Sequence, residues 1–576
     1  MEIKSKYSIL YPEFEGVTYK KLSETACHDL ALDLLCEKIT ENDKEYRLIM
    51  DTISNMTSDV KVAEYRQKVF SDILKFPELR KQMMTLLDKF EYIRDFGLNN
   101  KFTDERMGIW HLLRRMDELN DYITCVEAMQ QCLNENEVES EGLKGFKKYV
   151  EELYNDAGFG ELKEDISALK IHSSEVKSVT VGINVNERFE ATELGLISIN
   201  KQYFNKSGIV SNFADAIGGK SKIHENTDWD GNMHYQPVEM PKKGDGALNS
   251  YMDRTVKINL TSLKGFAGGK VTKDTVANIA EGDGTANTTY YLSGIATKML
   301  DMLVKKLRDT LNKYADVAVL NISKLIPEFI YYIRFAEFVE DCVKSGYTFC
   351  EANIAEGKLM EARGFYNPKL AVTGLEMDDI VTNDLDFDKE HTVHILTGAN
   401  RGGKTTVTQA IGIMYVLAQG GISVPASSFL YKPVDCIYTH FPADEDKTLD
   451  FGRLGEECIR FKESYAECTV DSLCLLNESF STTSFDEGYY IAKDSVKALL
   501  KKSVRTIYNT HMHKLGENLE DFNTGKFDAG ASSLIVKCDG GNRSFKIEVA
   551  PPEGTSYARD IAEKYGVTYE MLTEEF

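Results

Sequence analysis

Apolar residues recur at three- and four-residue spacing over residues 22–39, through Leu30, Leu34, Leu35 and Ile39. That period predicts a one-sided helix. Residues 66–87 repeat it, and Pro77 predicts a break, because proline has no backbone N–H to continue the ladder. Most of residues 1–175 reads as helix, with Glu and Lys alternating on the polar faces as they do on solvated surfaces. The period then changes. Val179, Val181, Ile183 and Val185 alternate with Thr180, Gly182 and Asn184, which predicts a strand. Residues 205–290 are polar and glycine-rich, and Asp230-Gly231 fits a hairpin turn. A helical stripe returns at Ile295, Met299, Met302, Leu303, Leu307 and Leu311. Helices on both sides of a small β region predict two long arms with an insertion at the far end.

Length and charge narrow the classes. At ~150 residues per domain, 576 residues allow three or four domains. The balance of 68 basic against 91 acidic residues, a net charge of −23, argues against a chain coated in positive charge for nucleic acid. It leaves room for a local basic groove, since phosphate binding follows local charge. Over residues 201–273 basic residues outnumber acidic ones, against the trend of the chain. A DNA-facing tip and a solvated insertion both fit that tract. No apolar run reaches the ~18 residues of a membrane span, and the opening residues lack the apolar core of a signal peptide. The 11 cysteines form no CxxC pair and read as reduced thiols. A cytoplasmic protein is the expectation.

The chemistry concentrates after residue 390. Val393-His394-Ile395-Leu396-Thr397 has the pattern of a buried strand. Gly398-Ala399-Asn400-Arg401-Gly402-Gly403-Lys404-Thr405 fits GxxxxGK[ST], and an apolar helix pattern follows. Such a loop curls its N–H groups around phosphate at a helix N-terminus. Lys404 is placed to reach the β- and γ-phosphates of ATP, and Thr405 to hold Mg2+. A second apolar run, Leu473 to Leu476, leads into Asn477 and Glu478. Glu478 is the candidate base that polarises water. Asn477 stands where an aspartate normally supports magnesium, so weaker metal binding and slow hydrolysis are expected. A third run ends at His511, a candidate sensor of the γ-phosphate.

From these residues the chain resembles the MutS family of DNA mismatch-repair ATPases. The resemblance rests on Thr397 through Thr406, Ala418-Gln419, Val424-Pro425-Ala426, the Glu478 segment with Thr483, Ser484 and Gly488, and Thr510-His511. Upstream, Tyr65-Arg66-Gln67 is similar to the start of the family's core domain. Gly554 to Ala562 is similar to the element that closes its ATPase domain. The resemblance implies an ABC-type ATPase that sandwiches ATP between two copies paired head to tail. It places Ile380 against adenine, where the family has an aromatic residue, and Asn383 in the same segment. The implied ATP contacts are Gly398, Asn400, Gly402, Gly403, Lys404, Thr405, Thr406, Ile380 and Asn383. The implied catalytic residues are Glu478, His511 and Lys404, and the implied Mg2+ ligands are Thr405, Asn477 and Glu478.

The departures are as informative. The stretch before the glycine loop is too short for the family's whole front end. The mismatch-reading domain is therefore expected to be missing, and Phe335 to Glu337 and Phe461 to Glu463 are accidental matches to its Phe-x-Glu wedge. The trans serine is absent from Gly452-Arg453-Leu454-Gly455. Arg453, with Thr483 and Ser484, is the candidate set at the dimer interface; a structural surface role fits Arg453 equally well.

The expected architecture is multidomain, α and α/β. It has a helical core with long lever arms and a small β-containing clamp-like tip, followed by a C-terminal ABC-type P-loop ATPase domain. The expected limits are 1–175 for core and first lever, 176–291 for the clamp-like insertion, 292–375 for the returning lever and 376–576 for the ATPase domain. The expected function is ATP-dependent binding of distorted or branched duplex DNA by a homodimer. The alternative is an ATP-gated protein-interaction scaffold without DNA.

Overall fold

The computed structural model describes residues 7–97, 109–173, 178–185, 187, 191–200, 236–239, 305, 309–311, 313–314, 325–356, 359–398, 402–442, 452–539, 542–552, 563 and 565–574. They belong to two compact units. The first takes residues 1–85, 132–149 and 324–576, the second residues 86–131 and 150–323.

In the first unit the helix expected over residues 22–39 is two helices, α1 (Glu24–Asp29) and α2 (Leu32–Ile39). Ala31 between them has φ 54, a left-handed conformation that ends α1. Burial explains the break. Leu30 and Leu32 are both fully buried, whereas residues two apart on a continuous helix point about 200° apart. Leu34 and Ile39, expected on the core stripe, are half-buried instead. Helix α3 (Asp43–Ile53) starts where the Asn42 side chain accepts from the N–H groups of Lys44 and Glu45, satisfying two orphan donors. Helix α4 (Val60–Lys75) stops two residues before Pro77, which opens α5 (Pro77–Gly97), so the expected break is present. Of the helices that follow, α7 (Glu141–Tyr154) lies mostly in the first unit, whereas α6 (Ile109–Glu135) lies mostly and α8 (Ala157–Ser173) wholly in the second.

In the second unit the strand expected at residues 179–185 is β1 (Ser178–Val185). It pairs antiparallel with β2 (Ala191–Asn200), which pairs antiparallel with β3 (Gln236–Glu239). The Asp230-Gly231 turn, the stripe from Ile295 to Leu307 and the segment Gly554 to Ala562 lie outside the described residues.

The chain returns to the first unit in α9 (Ile326–Lys344), which packs on α3 and α4. A four-stranded sheet follows, built from β4 (Ala352–Ile354), β5 (Met360–Phe365), β6 (Asn383–Phe387) and a later strand. The main sheet has six strands. It contains β7 (His391–Thr397), and helix α10 (Lys404–Gln419) follows that strand. Strand β8 (Ser428–Tyr431) completes the smaller sheet in the order β4-β8-β5-β6. The main sheet adds β9 (Ile437–His440), β10 (Leu473–Asn477), β11 (Arg505–Asn509), β12 (Gly530–Asp539) and β13 (Asn542–Val549), in the order β9-β10-β11-β7-β12-β13. The first five are parallel and β13 is an antiparallel edge. Helices α11 (Gly452–Glu467) and α12 (Phe485–Lys501) connect the parallel strands. In β7 every residue after His391 is buried, the signature of a parallel strand covered on both faces. Helix α10 is buried almost all round, as a central helix must be.

The far end of α10 is fastened to the helical core. Arg66, 1% exposed, donates from Nη1 to the Gln419 carbonyl at 2.9 Å and from Nε to the Leu10 carbonyl at 2.8 Å. The Gln419 amide donates to the Thr57 and Val434 carbonyls. Gly421, at φ 86, lets its backbone touch Arg66; a Cβ there would lie 2.6 Å from the Arg66 carbonyl carbon. Glu328 on α9 accepts from Ser8 Oγ and from the Ile9 and Leu10 N–H groups. Its burial raises the carboxyl pKa to about 7 despite those bonds. Helix α10 therefore runs from the glycine loop to a rigid polar anchor. Among the described residues no helix is long and apolar enough to cross a membrane.

Candidate nucleotide site

Strand β7 delivers the chain to Gly398, and α10 opens at Lys404. Gly403 before it has φ 88, a conformation that favours glycine, and a Cβ there would lie 3.3 Å from the Phe545 ring. Residues 399–401, Asn400 among them, lie outside the described residues. Lys404 is 5% exposed, and its Nζ donates to the Gly398 carbonyl at 3.1 Å. Burial pulls the ammonium pKa down, and the Glu478 carboxylate, 3.9 Å away, offsets part of that.

The second and third parallel strands bring their ends beside this helix start. Thr405 Oγ1 donates to Asn477 Oδ1 at 3.0 Å. Asn509, the last residue of β11, donates from Nδ2 to the same oxygen. Asn509 is fully buried, and its own Oδ1 has no hydrogen-bond partner. No sequence motif singles out Asn509. It stands two residues before His511, and only the register Asn477↔Asn509 of the paired strands places it here.

Glu478 follows β10 directly and pairs with His511, whose Nδ1 meets its Oε2. Burial raises the Glu478 pKa, but the His511 hydrogen bond and charge, with Lys404, outweigh it and hold the carboxyl below its ordinary value. The same hydrogen bond raises the His511 pKa against the effect of burial. Glu478 is thus ionised at neutral pH. A carboxylate held low accepts from water readily and takes a full proton less readily, so it is suited to orienting and polarising water.

A cavity of about 550 Å3 joins these groups. Gly402, Gly403, Lys404, Thr405, Thr406, Asp379 and Glu478 are among its polar lining, and Phe365, Leu370, Leu375, Ile380, Val381 and Phe545 supply an apolar slot. Phosphate-binding groups beside apolar side chains suit a phosphorylated molecule with a flat base. Ile380 is 6% exposed and faces this slot. Asn383 also borders it, but its amide is engaged: Nδ2 donates to the Phe545 carbonyl at 3.2 Å and Oδ1 accepts from the Ile547 N–H at 2.8 Å. Asn383 thereby fixes Phe545 at the rim. The sequence reading does not anticipate Phe545, because an aromatic residue on an edge strand carries no signal of its own. Thr406 is tied through its carbonyl to Asn367 Nδ2 at 3.0 Å. Arg453 is exposed in the first turn of α11, and Thr483 and Ser484 precede α12; none of the three lines the cavity. Thr483 Oγ1 bonds the Glu487 carboxylate.

Residues 394–568 match the family pattern described as MutS domain V, and residues 58–255 match the MutS2 N-terminal domain. The chain belongs to the MutS family. The domain V match begins inside β7 and takes in the glycine loop, Asn477, Glu478, Asn509 and His511. Ile380 and Asn383 precede it. Similar relatives of this MutS-family chain include the DNA mismatch repair protein MutS of Prochlorococcus marinus, 32% identical over 202 residues, which are 33% of this chain and 22% of that protein. Another is the DNA mismatch repair protein MutS of Staphylococcus saprophyticus, 26% identical over 214 residues, 37% of this chain and 23% of the relative. The Endonuclease MutS2 of Thermus thermophilus is 26% identical over 194 residues, 34% of this chain and 25% of that enzyme. The matched part of the chain spans about a quarter of each of these relatives.

Proposed function

We propose that this chain binds ATP in the cavity, hydrolyses it slowly, and uses the cycle to open and close a head-to-tail pair of copies on distorted or branched duplex DNA, in repair or recombination. One observation carries the nucleotide part: Lys404, Thr405 and Glu478 line one cavity together with apolar side chains such as Ile380 and Phe545. Lys404, freed from the Gly398 carbonyl, reaches phosphate. Gly402 and Gly403 offer backbone N–H groups at the start of α10. Ile380 and Phe545 face the base. Glu478, oriented by His511, holds the attacking water.

The donor set fits magnesium: it is all oxygen, and the partnerless Asn509 Oδ1 leaves hydrogen-bonding capacity for a water of the ion's hydration shell. When bound, Mg2+ would supply neutralising charge at the phosphates, and Thr405, Asn477 and Glu478 are the residues that would hold it. Asn477 contributes a neutral oxygen that already accepts from Thr405 and Asn509. Asn477→Asp adds a charge without losing an acceptor. The magnesium concentration for half-maximal turnover is expected to fall severalfold. An unchanged magnesium titration would remove Asn477 as the cause of slow turnover.

DNA as the ligand draws support from the relatives, whose names carry DNA mismatch repair and endonuclease. Contacts to phosphates position a protein without reading sequence, and distorted duplex is recognised by shape. The net charge of −23 favours a second reading, an ATP-gated scaffold whose partner is a protein. Binding of linear and branched duplex, with and without ATP and magnesium across a salt series, separates the two. Clamp binding responds to nucleotide and weakens steeply with salt. Absence of binding at low salt, from protein shown to bind ATP, favours the scaffold.

A further inference from the structure

Glu478 stands on an unusual piece of backbone. Its φ is 50, and Phe480, two residues on, has φ 61. Neither is glycine. A β-carbon disfavours this region, so such a turn persists only where its surroundings hold it.

Hydrogen bonds from several elements hold this one. The Glu478 N–H donates to the Asn509 carbonyl at 2.8 Å. The Tyr508 hydroxyl donates to the Ser479 carbonyl at 3.3 Å. Ser479 Oγ lies 2.7 Å from His440 Nδ1. The Phe480 N–H donates to Glu457 Oε2 at 2.5 Å. Asn509 and Tyr508 belong to β11 and His440 to β9, so three of the anchors come from the sheet that carries Glu478. Glu457 comes from elsewhere, as does Phe461 of the same helix, whose ring centroid lies 5.6 Å from that of Phe480. Glu457 lies on α11, whose first turn carries Arg453, and it is 8% exposed.

The imidazole strengthens this link. His440 Nε2 lies 2.9 Å from the Glu457 carbonyl, which can only accept, so Nε2 carries a proton. Burial pushes the His440 pKa down to about 4, so the ring is neutral, and the Ser479 hydroxyl faces both its Nδ1 and the His440 carbonyl, to which Oγ donates at 3.0 Å. Helix α11 therefore grips the turn at two points, through the Glu457 carboxylate and through its carbonyl by way of His440.

We propose that Glu457 is a positioning residue for Glu478, and that through it the placement of α11 is felt at the site of hydrolysis. This rests on reading the cavity as an ATPase site. The Phe480 N–H is fixed by Glu457, the turn by that N–H, and the direction of the Glu478 carboxylate by the turn. A small shift of α11 along its axis moves the Phe480 peptide and withdraws Glu478 from the cavity, while leaving the glycine loop and the apolar slot in place.

Three variants of the full chain test this: Glu457→Gln, Glu457→Asp and Glu457→Ala. Steady-state phosphate release gives kcat and KM, and a fluorescent ATP analogue gives affinity. The glutamine amide oxygen still accepts the Phe480 N–H, so E457Q is expected to keep at least half of the parental kcat. E457D keeps the charge but is one methylene too short; its kcat is expected to fall severalfold. E457A is expected to lose at least tenfold. In all three the affinity for nucleotide stays within about twofold of the parent. A parental kcat in E457A and E457D overturns the proposal. So does an order in which aspartate outperforms glutamine, or a loss of binding and turnover together in E457Q. Failure of the ATPase reading itself shows differently, as a parental chain that neither binds nor hydrolyses ATP, and the proposal then falls with it.

Discussion

Glu478→Gln is expected to lower ATP turnover by about 10²- to 10⁴-fold, the usual contribution of a positioned acid–base group, with nucleotide affinity nearly unchanged. The side chain lines the cavity, and its Oε2 is paired with His511. Glutamine has the same shape and still presents an oxygen there. It lacks the charge that polarises water, and its amide nitrogen can neither accept from His511 nor from water. Binding of ATP draws on Lys404, the glycine loop and the apolar slot; the substitution removes the charge 3.9 Å from Lys404 but leaves all of these groups in place. Phosphate release under saturating ATP, with a parallel titration of a fluorescent analogue, measures both quantities. A variant that turns over at the parental rate would show that water is activated elsewhere, and would leave His511 as the residue to examine next.

Arg505→Ala is expected to produce the largest loss of stability, on the order of 4 kcal/mol. Arg505 is fully buried at the start of β11 and has no carboxylate among its hydrogen-bond acceptors. Its guanidinium instead donates to the carbonyls of Lys432 at 2.5 Å, Pro433 at 3.3 Å and Asp471 at 3.1 Å, and approaches the Tyr415 hydroxyl at 3.4 Å. The Lys432 and Pro433 carbonyls lie in the segment that joins β8 to β9 and the Asp471 carbonyl just before β10, so one side chain ties the segments that lead into three adjacent strands at the end of the sheet opposite the site. Each carbonyl left buried without a donor costs about 1–3 kcal/mol, and the cavity adds to that. Thermal unfolding should fall by about 5 °C for a unit of this size. Arg505→Met fills most of the volume but supplies no donor, and it should recover only a minor part of the loss. Recovery of most of it would assign the effect to packing.

The nucleotide site was unevenly legible before the fold was known. Asn477, Glu478 and His511 each sit at the end of an apolar run, and Lys404 and Thr405 close the glycine loop after another; parallel strands buried on both faces write such runs plainly. Phe545 and Asn509 carry no such mark. Asn509 matters because β11 pairs with β10 in one register, and a shift of one residue would turn its side chain to the other face. Glu457 looks like any helix carboxylate until the fold carries α11 against the turn after β10. The break at Ala31 was equally hidden, since the spacing of Leu30, Leu34, Leu35 and Ile39 describes a good helix by itself. Burial of both Leu30 and Leu32 overrides that local preference.

Local pattern alone determined the strand–glycine loop–helix unit, the two following strands with their terminal carboxylate and histidine, and the family to which the chain belongs. Each depends on residues close together in the chain, where spacing maps directly onto geometry. Tertiary structure alone decided which distant residues complete the cavity, how Arg66 anchors the far end of α10, and how Glu457 and His440 hold the turn at Glu478. Those contacts join segments separated by tens to hundreds of residues, and only the closure of the sheet and the packing of helices on it bring them within bonding distance.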